Sequence, residues 1–217
     1  MSTISDVITK DHRELEQYHN EVVNNAGNCD HQQRYGNQFT WELARHSVGE
    51  ELVVYPAFEK HLGTKGKEMA EHDRKEHHQV RPTISRRLES GGALFLPYRA
   101  QVKELLKDFQ GMKSSDDGYV AKLEEIWALL SKHMKEEEEQ DMPELESKLI
   151  ASQGESESMA TTFGRTKAFV PSRSHPSAGE HPPFETAMGL LTAPYDHVAD
   201  VFRKFPDETL SPNPSTK

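Results

Sequence analysis

Apolar residues recur at helical spacing along most of this chain, and short polar stretches separate the runs. Val7, Ile8, Leu15, Tyr18 and Val22 form a stripe that predicts a first helix from about Ser5 to Asn24, with His12 inside the stripe. Asn25-Ala26-Gly27-Asn28 reads as a turn, and Phe39, Leu43, His46, Val53 and Phe58 line one side of a second helix from about Asp30 to His61. Gly63 ends that helix, and Pro56 within it predicts a kink because proline lacks the backbone donor. A third helix starts near Lys65, with Met69, Asp73 and His77 on one face at i, i+4 and i+8. The fourth runs from about Gly118 to Leu149 and turns Leu123, Ile126, Leu130, His133 and Glu137 inward.

The polar residues inside these stripes repeat. His46-Ser-Val-Gly-Glu50-Glu51, with Pro56 ten residues after the histidine, recurs as His133-Met-Lys-Glu-Glu137-Glu138, with Pro143 ten residues after its own. Histidine and glutamate at i and i+4 share a helix face, so each copy presents an imidazole and a carboxylate to one point. Upstream of each copy stands an acid–histidine pair, Asp11-His12 and Glu76-His77. His12 and His46 are 34 positions apart, whereas His77 and His133 are 56 apart. Residues 80–101, which contain two prolines and a double glycine, account for the difference: without these 22 residues the second spacing becomes 34. The segment therefore reads as an insertion into helix 3, either a loop or a retained intron translated in frame. A strong helical pattern resumes at Val102-Lys-Glu-Leu-Leu-Lys-Asp-Phe109.

Composition narrows the possibilities. The 217 residues suit one domain with an extension, read here as a bundle over 1–150 and an extension over 151–217. With 34% hydrophobic and 29% charged residues, the apolar side chains must be concentrated into stripes, and the longest apolar run is far too short for a membrane span. A formal net charge of -10 repels phosphate backbones, so neither nucleic acid nor membrane is an expected partner. The single cysteine, Cys29, and an N-terminus without an apolar centre point to a reducing, cytoplasmic setting. The twelve histidines are the unusual feature, five of them in or near the repeats.

Four histidines and two carboxylates converging from four helices, His12, His46, Glu50, His77, His133 and Glu137, make a metal site with positions left over for a small ligand. Imidazole with carboxylate suits iron, zinc, manganese or copper, and a pair of carboxylates favours two ions over one. Further donors within reach on these helices are Asp73, His72, Glu51 and Glu138. The Glu-x-x-His pattern that ferritin-like di-metal sites need on two helices occurs only once, at Glu16-His19.

The doubled His-x3-Glu, with a histidine on each remaining helix, resembles the hemerythrin-like, HHE cation-binding family over roughly residues 3–149. The resemblance implies an all-α, up-down four-helix bundle holding a non-haem di-iron centre through His12, His46, Glu50, His77, His133 and Glu137. It implies in turn a protein that interacts with dioxygen, nitric oxide or peroxide, or that handles or senses iron or redox state. Oxygen-carrying hemerythrins have a histidine four residues before the helix-3 ligand, and here Asp73 stands in that place, with His72 about 100° around the helix. A carboxylate makes that iron harder and more easily oxidised, which argues against reversible oxygen carriage. The alternative reading is a structural or partner-binding helical bundle with zinc or another divalent metal. No catalytic residue is assigned, and no protein partner is named.

After Leu149 the pattern changes. Ala151–Ser158 reads as a linker, Met159–Val170 as a short helix, and Phe184–Leu191 and Pro194–Phe205 as two short amphipathic helices with Thr192 as a cap. Phe184, Met188, Leu191, Val198, Val201, Phe202 and Phe205 predict that this extension packs on the bundle, with a disordered end from Ser211.

Overall fold

The computed structural model describes residues 2–78, 102–152, 154–174 and 184–214, with side chains throughout except at 75–78 and 184–191. The described residues form helices and connecting turns with no strand. The first pillar of the bundle is α1 (Ile4–Asn24), which starts at a capping box: Thr3 Oγ1 accepts from the Asp6 amide, and Asp6 returns a bond to the Thr3 amide. Its buried face, Ile4, Ile8, Asp11, Leu15, Tyr18 and Val22, follows a heptad rhythm, and His12 lies beside it fully buried. Gly27, at φ 85°, turns the chain into α2 (Cys29–Gly49), which packs along α1 and is capped by Asn28.

Just before Pro56 the second pillar changes register through a π-helical turn, π1 (Glu50–Val54), in which the Tyr55 amide donates to the Glu50 carbonyl, before α3 (Tyr55–His78) continues. Pro56 has no N–H to offer the Leu52 carbonyl, and its ring would collide with that carbonyl in a regular helix. The extra residue in the turn relieves both problems. The same device recurs within the second repeat, before Pro143: α5 (Tyr119–Glu136) passes through π2 (Glu137–Asp141) into α6 (Met142–Leu149), with the Met142 amide donating to the Glu137 carbonyl. Both π turns begin on the repeat's glutamate. Such turns insert a residue without ending the helix and concentrate at functional sites.

Inside α3 the chain reverses at Gly63, at φ 60° and ψ -128°, a conformation costly for any other residue. Gly66 completes the corner, because a Cβ there would sit 1.8 Å from the Phe58 carbonyl oxygen. The rest of α3 and the following α4 (Val102–Gly111) make the third pillar; α4 touches α3, α2 and α5. The insertion expected at 80–101 lies outside the described residues. Two apolar clusters fill the bundle. One gathers Leu15, Phe39, Leu43, Leu106, Phe109 and Ile126; the other gathers Ile4, Ile8, Tyr55, Phe58, Leu145 and Phe163. Along their helices, His12, His46, Glu50 and Glu137 fall between members of the two clusters.

Beyond the bundle, α7 (Glu155–Lys167) begins at Gly154 and lies against α1, α2, π1 and α6. The two short helices expected after it are a single helix, α8 (Phe184–Asp200), with Pro194 inside it and Thr192 in mid-helix. Proline's fixed φ is helical, so it forfeits one hydrogen bond without forcing a break. Not all of the apolar residues expected to pack do so: Val198, Val201 and Phe202 are exposed, while Phe205 is buried edge-on to Trp41. Two residues near the end have partners on the bundle. Ser211 donates to the buried Glu14 carboxylate, and the buried Asn213 amide donates to Gln38 and to the Pro206 carbonyl. Partners on α1 and α2 supply what a polar segment lacks by itself.

Candidate metal centre

Four of the six sequence candidates meet. One donor atom from each of His12, His46, Glu50 and Glu137 lies within 4.8 Å of the others, and all four residues are buried. α1 supplies His12, α2 and π1 supply His46 and Glu50 one turn apart, and π2 supplies Glu137. His46 Nε2 is 2.8 Å from Glu50 Oε1, and His12 Nε2 is 3.4 Å from Glu137 Oε2. The two imidazoles stand edge to face with centroids 5.0 Å apart.

Each imidazole is engaged from behind. His46 Nδ1 is 3.2 Å from Asp11 Oδ2, and His12 Nδ1 is 2.7 Å from Glu138 Oε1. With Nδ1 donating outward, Nε2 is the atom offered to the cluster, the arrangement in which a histidine ligand is held in one tautomer and orientation. Glu138 is in turn held by the Arg13 guanidinium at the surface.

Burial makes the charges of this layer interdependent. Desolvation pushes the His46 imidazolium down, yet the Glu50 charge and the Asp11 hydrogen bond outweigh it and carry the pKa up to about 10. His12 is raised in the same way by Glu137 and Glu138 against its burial. Burial raises Glu137, but the neighbouring imidazoles, His12 first, bring it down to about 2. Glu50 is pushed up by burial and by the charge of Glu137. Glu137 therefore keeps its charge while Glu50 holds a proton more readily, and a cation between them would take that proton's place.

The remaining candidates divide. His133 is buried one helical turn before Glu137, and its charge acts on Glu137, Glu50 and Asp73, though it stands outside the group of four. The His77 side chain lies outside the described residues. Asp73 is buried, and its carboxylate is pushed up to about 8 by burial and by the charges of Glu137, Asp141 and Glu50, against the pull of His133. His72 instead points outward, 53% exposed, toward Glu136. Glu51 pairs with Arg74, which also grips Glu59, so it ties the second pillar to the third. Glu138 serves His12 from behind.

A cation fits this donor set. Glu137 Oε1 and Asp73 Oδ2 are buried with no hydrogen-bond partner among the described residues, and His12 Nε2 approaches Glu137 without reaching hydrogen-bonding geometry. Buried polar atoms are nearly always satisfied, and the orphaned His12 and Glu137 atoms belong to the group of four, with Asp73 buried outside it, so the group of four marks a place for an ion.

Three contributors were not anticipated from sequence. Asp11 stands behind His46, where the sequence marks it only as half of an acid–histidine pair. Phe163 on α7 lies edge-on to the His46 ring at 6.0 Å, and Lys167 at the end of α7 reaches Asp11 and Glu42. One signal was available for Phe163: Gly49 occupies mid-helix where the second repeat has Glu136, and a Cβ there would meet the Phe163 ring at 2.7 Å.

The first, second and last pillars bring buried histidines and glutamates together at a point that suits a cation, and residues 3–145 match the hemerythrin HHE cation binding domain. The chain belongs to that family. It is 48% identical over 207 residues, 95% of this chain and 89% of the relative, to a protein of Schizosaccharomyces pombe described as an uncharacterized hemerythrin-like protein. No solved structure gives a significant match. No helix among the described residues is long and apolar enough to cross a membrane.

Proposed function

We propose that this chain binds a non-haem di-iron centre and uses it to interact with dioxygen, nitric oxide or peroxide, or to sense or handle iron. The observation that carries the reading is the meeting of His12, His46, Glu50 and Glu137 in a buried layer, with a Glu137 oxygen and an Asp73 oxygen left unsatisfied. His12, His46 and Glu50, with Glu137, would hold one side of the centre, and His133 and His77 with Asp73 the other. Two carboxylates on opposing pillars suit bridging between two ions. Bound iron would supply redox chemistry and open positions for a small ligand.

The protein's own residues set the terms. The two apolar clusters exclude water above and below the layer, which strengthens every charge interaction within it. Asp11 and Glu138 fix the imidazoles from behind. Asp73 adds an anionic donor where oxygen carriers have a neutral histidine, so the site favours oxidised iron. That supports sensing, peroxide chemistry or iron handling over reversible carriage.

Metal content per chain, measured with an absorption spectrum on protein from iron-supplemented cells, tests this. About two irons with near-ultraviolet oxo-ferric bands are expected. Zinc at the same site with no visible absorption would favour the structural or partner-binding bundle instead.

A further inference from the structure

We propose that Lys167, on the helix that follows the family-matched residues, is a positioning residue for the metal centre: with Asp11 it forms a buried chain that holds the His46 imidazole by Nδ1 and turns Nε2 to the cluster. The inference rests on the reading of His46 as a metal ligand.

Lys167 is the last residue of α7, and its ammonium donates to Asp11 Oδ2 and to Glu42 Oε1. All three side chains are buried, the lysine at 8% exposure. A lysine ammonium taken out of water is stable only where carboxylates compensate it, and here two do. The oxygen that Lys167 grips is the one that His46 Nδ1 meets at 3.2 Å. Without the ammonium, the shared Asp11 oxygen loses the donor that fixes it opposite His46 Nδ1, and the carboxylate turns away.

The approach of α7 is itself fixed on both sides of this contact. Arg45 Nε donates to the Lys167 carbonyl at 2.6 Å, and Phe163, one turn earlier, seats its ring over Gly49 beside His46. A hydrogen-bonded partner behind a histidine ligand commonly changes metal affinity by about 10- to 100-fold when removed. In this chain that partner is itself held from outside the four pillars.

Side-chain nitrogen NMR on the metal-free full-length chain, paired with Co2+ titration, tests the proposal. The His46 Nδ1 proton is expected to exchange slowly in the native chain and in Lys167→Arg, and to be lost in Lys167→Met. Cobalt affinity should fall about 10-fold or more in Lys167→Met and recover in Lys167→Arg. If Lys167→Met does not fold, the double variant Asp11→Leu with Lys167→Met removes both buried charges together, leaves Glu42 its Arg45 partner, and should show the same two losses. Ala160→Gly loosens α7 without touching the chain of contacts and should leave both readouts unchanged. The proposal is overturned if Lys167→Met, or the double variant, keeps the Nδ1 proton and the native cobalt affinity, or if Ala160→Gly reproduces the losses. A native chain that binds no cobalt refutes the metal-centre reading, while the Nδ1 proton still decides the role of Lys167.

Discussion

His12 Nε2 lies 3.4 Å from Glu137 Oε2, so the first pillar of the bundle and the last meet across the polar layer with no hydrogen bond of good geometry between them. A cation at that junction would bind three pillars at once, through His12, His46 with Glu50, and Glu137. Metal affinity is then also folding free energy.

Metal loading is therefore expected to raise the thermal midpoint. At a free-metal concentration a thousand times Kd the gain is about 4 kcal/mol, or roughly 10 °C for a chain of this size. Calorimetry of chelator-stripped protein, with and without added iron or zinc, measures it. An unchanged midpoint at saturating metal would refute binding at a shared junction.

The two glutamates should differ when neutralised. Glu137 is charged and faces His12, so Glu137→Gln leaves an imidazolium without its partner and should destabilise the metal-free chain by about 1–3 kcal/mol. Glu50 sits beside that charge and is pushed toward its neutral form, but it also faces His46 Nε2 at 2.8 Å, so Glu50→Gln should cost less than Glu137→Gln without metal. Both variants should lose metal. A variant that kept about two irons would show that its glutamate does not bridge.

Stability of the metal-free chain should fall as pH rises above neutrality. Asp73, at about 8, and His46, at about 10, both hold protons more tightly in the folded chain than at their ordinary values of 3.8 and 6.5. Their contribution is complete below those ordinary values. It is lost as pH climbs through the folded ones, between 3.8 and about 8 for Asp73 and between 6.5 and about 10 for His46. Asp11 and Glu137, both held at about 2, act in the opposite sense only in acid, where their contribution disappears as pH drops below their ordinary values of 3.8 and 4.5. Bound metal replaces the raised protons, so the loaded protein should show a much flatter profile. Thermal midpoints from pH 5 to 9 check this, and a metal-free midpoint that rises across that range contradicts it.

Gly49→Ala separates helix propensity from packing. Alanine is favoured by about 1 kcal/mol in a helix interior, yet its Cβ would meet the Phe163 ring at 2.7 Å. Overpacking typically costs about 1–3 kcal/mol, so a net loss is expected, with α7 displaced from His46. Denaturant unfolding reads the sign. A stabilised variant would mean that α7 yields easily.

His72→Ala should retain metal and stability, because that side chain is half exposed and faces Glu136 at 3.8 Å. Metal loss on this change would shift the helix-3 register by one residue.

Periodicity and the doubled motif were enough to predict the all-helical bundle, its turns near Gly27 and Gly63, and the inward placement of His12, His46, Glu50 and Glu137. Those features are local: a helix face is set by spacing along one segment, and a histidine inside an apolar stripe must point where the stripe points. The register change at each proline was half legible. Pro56 announced a disturbance and Pro143 did not, and the form it takes depends on what the far side of the helix must pack against: Val54, Tyr55 and Met142 are buried at the ends of the two π turns. Asp73 over His72 was readable as a register; the burial that raises its carboxylate was not. Least visible was the part played by the extension. Lys167 stands 156 positions from Asp11 and Phe163 is far along the chain from His46, and no pattern within either segment links them. Composition showed that the extension had apolar residues to bury, but which of them touch the centre was decided only by the approach of α7 over Gly49, a matter of shape between segments distant in sequence.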